Sequence, residues 1–229
     1  MESSSIILGL IACFGGLLTL IVIAGVVASR RERDRQEALQ RWAVQYGWQV
    51  ARRPAIDWGR RMPGRNKGGV TLALSGSIDG RPVTIGEYYY THTTSSRNSD
   101  GTSSSSTTTY HYVLMVVRLS RPGPTIAVFR RGAMSRFGRS LFGDRATAIG
   151  DEPFDSAYRV AADEARLVRS VLGRNLVAEH VAGRLPDWSL EGDELLTFHV
   201  GRIGEPTGIP AQFAPLLRVA DLLEENAQT

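Results

Sequence analysis

An uncharged run of 23 residues near the N-terminus most constrains how this 229-residue chain can fold. The run extends from Ile6 to Ala28 and is followed at once by Arg30, Arg31, Arg33 and Arg35. A helix of this length measures roughly 35 Å, because each residue adds about 1.5 Å. That length is enough to cross a hydrocarbon core of about 30 Å. The run therefore predicts a single transmembrane helix at 6–28.

The charges that flank the run predict its orientation. Only Glu2 precedes it, whereas arginines follow it, and basic flanks tend to remain in the cytoplasm. We therefore expect a single-pass inner-membrane protein with a cytoplasmic C-terminal domain. A signal peptide fits less well, because it would have a basic start and a shorter apolar core. The segment Leu10-Ile11-Ala12-Cys13 leaves open a lipoprotein leader, with lipid on the only cysteine of the chain.

Positive charge is concentrated beside the run. Residues 30–67 hold eleven basic and four acidic residues, whereas residues 68–229 hold sixteen basic and eighteen acidic residues. This gradient argues against nucleic acid as a partner, because a nucleic-acid-binding domain would spread its basic surface over the folded unit. It favours contact with a membrane surface and its anionic lipid headgroups. The residues expected to make that contact are Arg30, Arg31, Arg33 and Arg35, unless they serve only as topology signals.

Hydrophobic periodicity predicts one α+β domain after the run. Residues 29–46 carry apolar side chains at helical spacing, which predicts a basic juxtamembrane helix that Gly47 ends. Residues 52–69 are rich in Arg, Gly and Pro and are expected to form a loop against the membrane. Alternation on both sides of Asp79-Gly80 then predicts an antiparallel hairpin. The domain is expected to span 47–226, with a mainly antiparallel sheet and helices at its ends.

A long second hairpin is expected around a polar segment. Residues 87–92 and 110–117 nearly mirror each other and predict two paired strands. Between them, residues 93–109 are almost all Ser, Thr, Asn, Asp and Gly, a composition that cannot bury a core. We expect a disordered loop at 93–109. Its hydroxyl side chains also leave open a phosphorylation switch that docks on nearby arginines.

The C-terminal third is expected to alternate strands and helices. Alternation of Phe154, Tyr158 and Val160 with polar residues predicts a strand. A helix should follow from an Asp163 cap, break at Gly173 and resume to residue 182. Residues 188–190 and 195–200 are then expected to pair across a turn at 191–194, before a final helix at 211–225. Residues 130–145 are expected to form a Gly- and Arg-rich loop whose apolar side chains cover the sheet or touch the membrane.

The motif Phe-Asp-x-x-Tyr-x-Val at 154–160, the two-part helix at 165–181, and the closing strand pair and short helix resemble a bacterial family of unknown function. This family consists of membrane-anchored proteins, with one N-terminal anchor and a cytosolic α+β domain. The chain departs from the family pattern at Gly173-Arg174, where a Thr-Pro break is usual, and at the insert 93–109. The resemblance implies no catalytic residues.

No motif predicts catalysis or a cofactor. The chain lacks a glycine-rich phosphate loop, a G-x-S-x-G elbow and HExxH. A metal site would require His92 and His111 to meet across the long hairpin. Paired carboxylates can act as acid and base, but the acidic group at 151–155 is explained more simply as the flank of an exposed turn before a strand. Five tyrosines suit either a binding groove or cross-strand packing: Tyr88, Tyr89, Tyr90, Tyr110 and Tyr112.

The sequence therefore favours a non-enzymatic binding or scaffold module at the inner face of a bacterial membrane. Its expected partners are the membrane, anionic lipid headgroups and an unidentified protein, with no nucleic acid and no cofactor. The alternative is a membrane-tethered hydrolase whose site the motifs do not reveal. Such an enzyme would require a deep pocket with convergent polar groups and shifted pKa values.

Overall fold

The computed structural model describes residues 2–97, 103–132, 146–162 and 164–227, with side chains from residue 23 onward except at positions 146 and 165. Its helices are α1 (Glu2–Gln45), α2 (Glu152–Ala157), α3 (Ala165–Val171), α4 (Arg174–Val181) and α5 (Ile209–Asn226). Its strands are β1 (Gln49–Arg52), β2 (Val70–Ile78), β3 (Arg81–Arg97), β4 (Ser103–Arg130), β5 (Ala146–Thr147), β6 (Tyr158–Ala162) and β7 (Trp188–Val200). Short 3-10 turns lie at Trp58–Arg61, Pro63–Arg65 and Pro206–Gly208.

These strands form one antiparallel sheet in the order β1-β2-β3-β4-β6-β5, and β7 also pairs with β4. The α+β prediction is thus confirmed. The predicted turn at Asp79-Gly80 joins β2 to β3, and both residues have the positive φ that such a turn requires. Helix α1 ends as expected just before Gly47, whose φ is +68°.

Strand β4 organises the sheet because it pairs on both edges. Along one edge, residues 103–117 of β4 pair with β3, and residues 126–130 pair with β6. The other edge pairs with β7, and this ladder is irregular between Arg118 and Ile126. The irregularity lets one strand change partners along its length.

The hairpin predicted within 188–200 is wrong. Residues 188–200 form the single strand β7, and Leu190 and Leu196 pair with β4 rather than with each other. Gly192 takes a φ of +60° and lies opposite Gly123, where the β4 ladder is irregular. The polar residues around Gly192 therefore mark a bend in one strand instead of a reversal of the chain.

The main core lies between one face of the sheet and the helices. Leu39, Trp42 and Ala43 of α1 are buried there, together with Phe213 and Leu216 of α5. Helix α1 ends against the sheet, where the Trp42 ring lies 5.1 Å from the Trp48 ring. Burial of apolar area at about 25 cal/mol per Å² makes this layer the main source of stability.

The opposite face of the sheet is covered by the segment that was expected to lie against the membrane. Trp58 and Met62 from this segment pack with Tyr88, Leu114 and Leu196 of the sheet. These contacts form a second apolar cluster. The two 3-10 turns at 58–65 thus act as a cover for the sheet, which corrects the interpretation of residues 52–69 as a membrane-facing loop.

The long hairpin also differs from the prediction. The structure pairs β3 with β4 as far as Arg97 and Ser103, so residues 93–97 and 103–109 are strand. Cross-strand hydroxyl pairs accompany the ladder, including Thr93 with Thr107 at 2.9 Å and Ser96 with Ser104 at 2.8 Å. β-branched threonines suit a pleated strand even where no core is buried. Residues 98–102 lie outside the described part of the chain.

The strand predicted through Phe154 begins later. Phe154 lies in α2, and β6 starts at Tyr158, so the two aromatic residues follow helical spacing and stack at 5.1 Å. Their apolar recurrence fits both periods over so short a segment. Asp163 and residues 133–145 lie outside the described residues. The predicted break at Gly173 is confirmed, because it separates α3 from α4.

Within the part of the chain that the structure describes, we find no helix that combines the length and the apolar character needed to cross a membrane. The backbone of residues 6–28 belongs to α1. The side chains of residues 6–22 lie outside the described set.

Candidate functional site

The side chain of Arg35 joins α1 to the sheet. Its guanidinium donates to both carboxylate oxygens of Glu87 on β3, at 2.5 and 3.1 Å, and to both oxygens of Glu32, at 2.7 and 3.1 Å. It also donates to the carbonyl oxygen of Ile203 at 2.8 Å. Burial lowers the pKa of Arg35, but the hydrogen bonds to the two glutamates outweigh it and raise the pKa overall. We call Arg35, Glu32, Glu87, Arg202 and His111 the junction cluster.

The outer half of the junction cluster involves Arg202 and His111. Arg202 donates to Glu32 at 3.2 Å and lies 3.2 Å from His111 Nε2. The hydrogen bond from Arg35 lowers the pKa of Glu32 to about 2. Burial and the neighbouring Arg202 lower the pKa of His111. Glu87 also accepts from the backbone N–H of Ile203 at 3.0 Å, so three chain segments meet at this carboxylate.

The four predicted membrane-contact arginines fall into two groups. Arg30, Arg31 and Arg33 are exposed on α1, and we call them the collar. Arg35 is only 19% exposed and is held by two carboxylates, so its charge is already compensated within the protein. Headgroup contact by the collar stays a prediction, and Arg35 has a different environment from the other three.

Sequence reasoning missed Glu87 and Arg202. The available signal was Glu87, which shares the face of β3 with the buried Val83 and Ile85 because side chains alternate along a strand. A carboxylate at a core-facing position requires a partner. That partner is Arg35, which precedes the buried Leu39 by four residues on the same face of α1.

The tyrosines pack across the strands of the long hairpin. Tyr90 stacks on Tyr110 at 5.1 Å and on Tyr112 at 6.1 Å, and Tyr112 meets Phe198 edge-on. The hydroxyl of Tyr88 donates to the carbonyl oxygen of Pro63 in the covering segment. Burial raises the pKa of Tyr88 to about 12. The rings thus extend the second apolar cluster outward along one face.

The histidines of the hairpin do not face each other. His111 pairs with Tyr89, and His92 pairs with Thr108, so the register separates the two imidazoles. Within the described ranges, no group of three His, Cys, Asp or Glu side chains is arranged to hold a metal ion. The structure therefore offers no meeting point for the His92–His111 alternative.

Arg61 is buried beneath the covering segment. Its Nη2 donates to the carbonyl oxygens of Ser189 and Glu194, at 2.6 and 3.0 Å, and to the Ser189 hydroxyl. The Trp58 indole donates to the Glu194 carboxylate at 2.6 Å. Burial lowers the pKa of Arg61 to about 10, although Glu191 and Glu194 oppose this effect. These bonds attach the covering segment to β7.

His180 is fully buried in the helical layer. Its Nε2 accepts from the Trp188 indole at 2.9 Å, and its carbonyl oxygen accepts from the Tyr158 hydroxyl at 2.7 Å. Its Nδ1 has no hydrogen-bond partner among the described residues. Burial, with a smaller effect of Arg130, lowers the pKa of His180 to about 4. The imidazole is therefore neutral near pH 7 and has no exposed surface.

The acidic group at 151–155 shapes a turn. Asp151 accepts from the backbone N–H of Phe154 and caps α2. Asp155 accepts from the backbone N–H groups of Ile149 and Gly150, at 3.0 and 2.9 Å. These bonds support the simpler interpretation of the group as a turn before β6.

A cavity of about 430 Å³ lies between β4 and the end of α5. Its apolar lining comprises Leu119, Pro122, Pro124, Val171, Leu190 and Leu223. The Glu224 carboxylate at this cavity accepts from Arg81 at 3.0 Å and from the Ser120 N–H at 2.7 Å. The described lining contains no histidine or cysteine, and its polar side chains are those of Ser120, Arg121, Ser170, Glu224 and Asn226.

The fold and these sites define a mixed α+β protein with a mainly antiparallel sheet. No family model matches the chain, and no curated protein matches it. A similar solved structure is that of the mycobacterial trehalose monomycolate transport factor A, at 12% identity and a TM-score of 0.47. The alignment covers 83% of this chain and 92% of that chain. The lack of a matching family model or curated protein is consistent with the resemblance to a family of unknown function.

Proposed function

We propose that this protein is a non-enzymatic, single-pass membrane protein whose α+β domain is a binding or scaffold module at the inner face of a bacterial membrane. The observation that carries the proposal is the continuity of α1. One helix extends from the uncharged run 6–28 into the core, where Leu39, Trp42 and Ala43 are buried. A membrane helix that is also a core helix holds its domain at a set distance from the bilayer.

The junction cluster supports a positioning role. A domain on a flexible linker would sample many orientations, whereas Arg35 fixes the direction in which α1 leaves the sheet. Glu87 receives Arg35 on one side and the Ile203 N–H on the other, so α1 is attached to two separate segments of the domain. A rigid attachment suits a module that presents one surface to a partner.

The collar supports the lipid half of the proposal. Arg30, Arg31 and Arg33 follow Ala28 by about 3–8 Å along the helix axis, at about 1.5 Å per residue. This separation lies within the Debye length of about 8 Å at physiological ionic strength. Each arginine there would gain about 1 kcal/mol from an anionic surface.

Two measurements on the full-length protein test the anchor and its orientation. The first is extraction of cell membranes with alkaline carbonate, in which an integral protein remains in the pellet. The second is a pair of C-terminal fusions, one to a reporter active only in the cytoplasm and one to a reporter active only outside. Release into the supernatant would refute the anchor. Activity of the external reporter would refute the inner-face assignment and favour lipid attachment at Cys13.

A third measurement tests the collar. The protein is purified in mild detergent, and the ratio of anionic to zwitterionic lipid that co-purifies is compared with the ratio in the bulk membrane. We expect the wild type to enrich anionic lipid and the triple variant Arg30→Gln, Arg31→Gln, Arg33→Gln to lose that enrichment. The matched control neutralises three exposed arginines of the domain: Arg118, Arg121 and Arg166. Equal enrichment by all three proteins would refute headgroup contact.

A further inference from the structure

The long hairpin continues beyond the rest of the sheet as a two-stranded arm. We define the arm as residues 91–97 of β3 and 103–109 of β4, all of which are exposed. The β2 ladder stops at Tyr88, and the β7 ladder stops at Tyr112. Among the described residues, no strand pairs with the outer edge of β4 from 103 to 109. This edge presents backbone hydrogen-bonding groups without strand partners.

The direction of these groups follows from the last contact below the arm. The carbonyl oxygen of His111 accepts from the Gly201 N–H at 3.0 Å, so the backbone groups of His111 face the β7 side. Orientation alternates along a strand with period two. The N–H and C=O groups of Ser103, Ser105, Thr107 and Thr109 therefore face the same side, which is the free side of the arm.

Within the described part of the chain, the free edge of β4 lacks the usual protection against strand pairing. Natural edges are shielded by charged residues, prolines, bulges or a covering segment. Residues 103–109 read SSSSTTT and contain no charge and no proline. Their register with β3 is unbroken from Val117 to Ser103. The edge is thus flat, extended and ready to accept another strand.

We infer that this edge pairs with the same edge of a second copy of the chain. An uncharged strand meets its own image without repulsion, whereas a charged partner strand would find no complementary charge on it. A two-fold axis beside Ser106 would place Ser105 of one copy opposite Thr107 of the other and would use the outward backbone groups of both. The two Ser106 side chains would then face each other. The inference goes beyond the proposed function and does not depend on a membrane anchor.

Cysteine cross-linking of the full-length protein tests this pairing. Cys13→Ser removes the only natural cysteine, and Ser106→Cys then places one thiol at the proposed axis. Facing residues of this kind lie about 4.5 Å apart between their Cα atoms, within the range that a disulfide spans. We expect mild oxidation of unfractionated cell lysate to give a covalent dimer at least five-fold more abundant than that from Ser156→Cys in the same background. Ser156 is the matched control because it is exposed on α2.

Two edge variants show whether strand pairing causes the cross-link. Ser105→Pro removes one outward N–H while leaving the β3 ladder intact, because proline is tolerated where the N–H faces solvent. Ser105→Lys adds a charge without altering the backbone. Both substitutions should reduce the cross-link to the Ser156→Cys level. Light scattering in detergent should show a dimer for the protein without either substitution and a monomer for each Ser105 variant. Cross-linking at the control level, a cross-link that persists in Ser105→Lys, or a product with the mass of a different protein would overturn the inference.

Discussion

Protonation of His180 should destabilise the domain in mild acid. The imidazole is enclosed by Phe154, Tyr158 and Trp188, and its Nε2 already serves as an acceptor for the Trp188 indole. A second proton would have to replace that hydrogen bond and place a charge where none of the surface is exposed. Burial therefore lowers the pKa of His180 from 6.5 to about 4, and the charge of Arg130 adds to this effect.

The magnitude follows from linkage between proton binding and folding. The unfolded chain binds the proton with the ordinary pKa of 6.5, and the folded chain with a pKa of about 4. The free energy of unfolding therefore has its full value above pH 6.5, where His180 is neutral in both states, and it decreases progressively as the pH falls from 6.5 to 4. At about 1.4 kcal/mol per pH unit the total is about 3 kcal/mol, of which about 2 kcal/mol is lost by pH 5.

Urea unfolding of the full-length protein in detergent micelles, followed by tryptophan fluorescence between about pH 7 and pH 5, measures this effect. His180→Gln retains an acceptor for Trp188 and cannot titrate, so its free energy of unfolding should vary less with pH. The matched control is His92→Gln, which makes the same substitution at an exposed histidine of the arm. Burial also lowers the pKa values of His111 and His199, but both residues remain in each protein and cancel in the comparison. Parallel profiles for the wild type and His180→Gln would refute the reasoning.

Three further substitutions test packing by thermal and chemical unfolding. Arg35→Ala leaves a mostly buried carboxylate unpaired and should cost about 2–3 kcal/mol, whereas Arg33→Ala in the exposed collar should cost less than about 0.5 kcal/mol. Gly76→Ala would place a Cβ 2.4 Å from the Trp48 ring and should cost about 1–3 kcal/mol. Gly204→Ala meets nothing within 4 Å and is its control. Tyr88→Phe removes the hydroxyl that binds the covering segment and should cost about 1–2 kcal/mol, with faster proteolysis at 56–66. Equal stability of Arg35→Ala and Arg33→Ala, or of Gly76→Ala and Gly204→Ala, would contradict the contact assigned to that site. Unchanged proteolysis of Tyr88→Phe would contradict its contact with the covering segment.

The elements that sequence predicted well are those with local causes. Asp79-Gly80 supplies the positive φ angles of a tight hairpin, so the β2–β3 pair follows from two residues. Gly173 ends α3 and begins α4 because its backbone is extended there. The final helix carries its own apolar periodicity and begins at Ile209, two residues before the expected start.

The elements that sequence predicted badly depend on distant partners. Strand β7 contains a polar bend at Gly192 that is indistinguishable from a turn until β4 lies beside it. The arm has a composition typical of disorder, yet its pairing with the opposite strand is a continuation of a register fixed inside the core by Val83 and Val117. Composition indicates how much apolar surface a segment can bury. It does not indicate whether strand pairing that begins in the core will continue into that segment.

The candidate site was half predictable for the same reason. Arg30, Arg31, Arg33 and Arg35 are one charge cluster in the sequence, and proximity to the uncharged run gives no ground to separate them. Their separation depends on Glu87, which is 52 residues away from Arg35. The covering segment was missed because the partners of Arg61 lie on β7, far along the chain.

The unbroken path of α1 gives the domain a rotational phase. Each residue inserted between Ala28 and Glu32 would turn everything after it by about 100° and shift it by about 1.5 Å. One added residue would therefore turn the arm by more than a quarter of a turn relative to residues 6–28 while shifting it by only about 1.5 Å along the helix axis. Seven added residues, nearly two full turns, would almost restore the original orientation and move the domain by about 10 Å along the helix axis. The length of this single helix thus sets both the distance and the rotational angle between residues 6–28 and the domain.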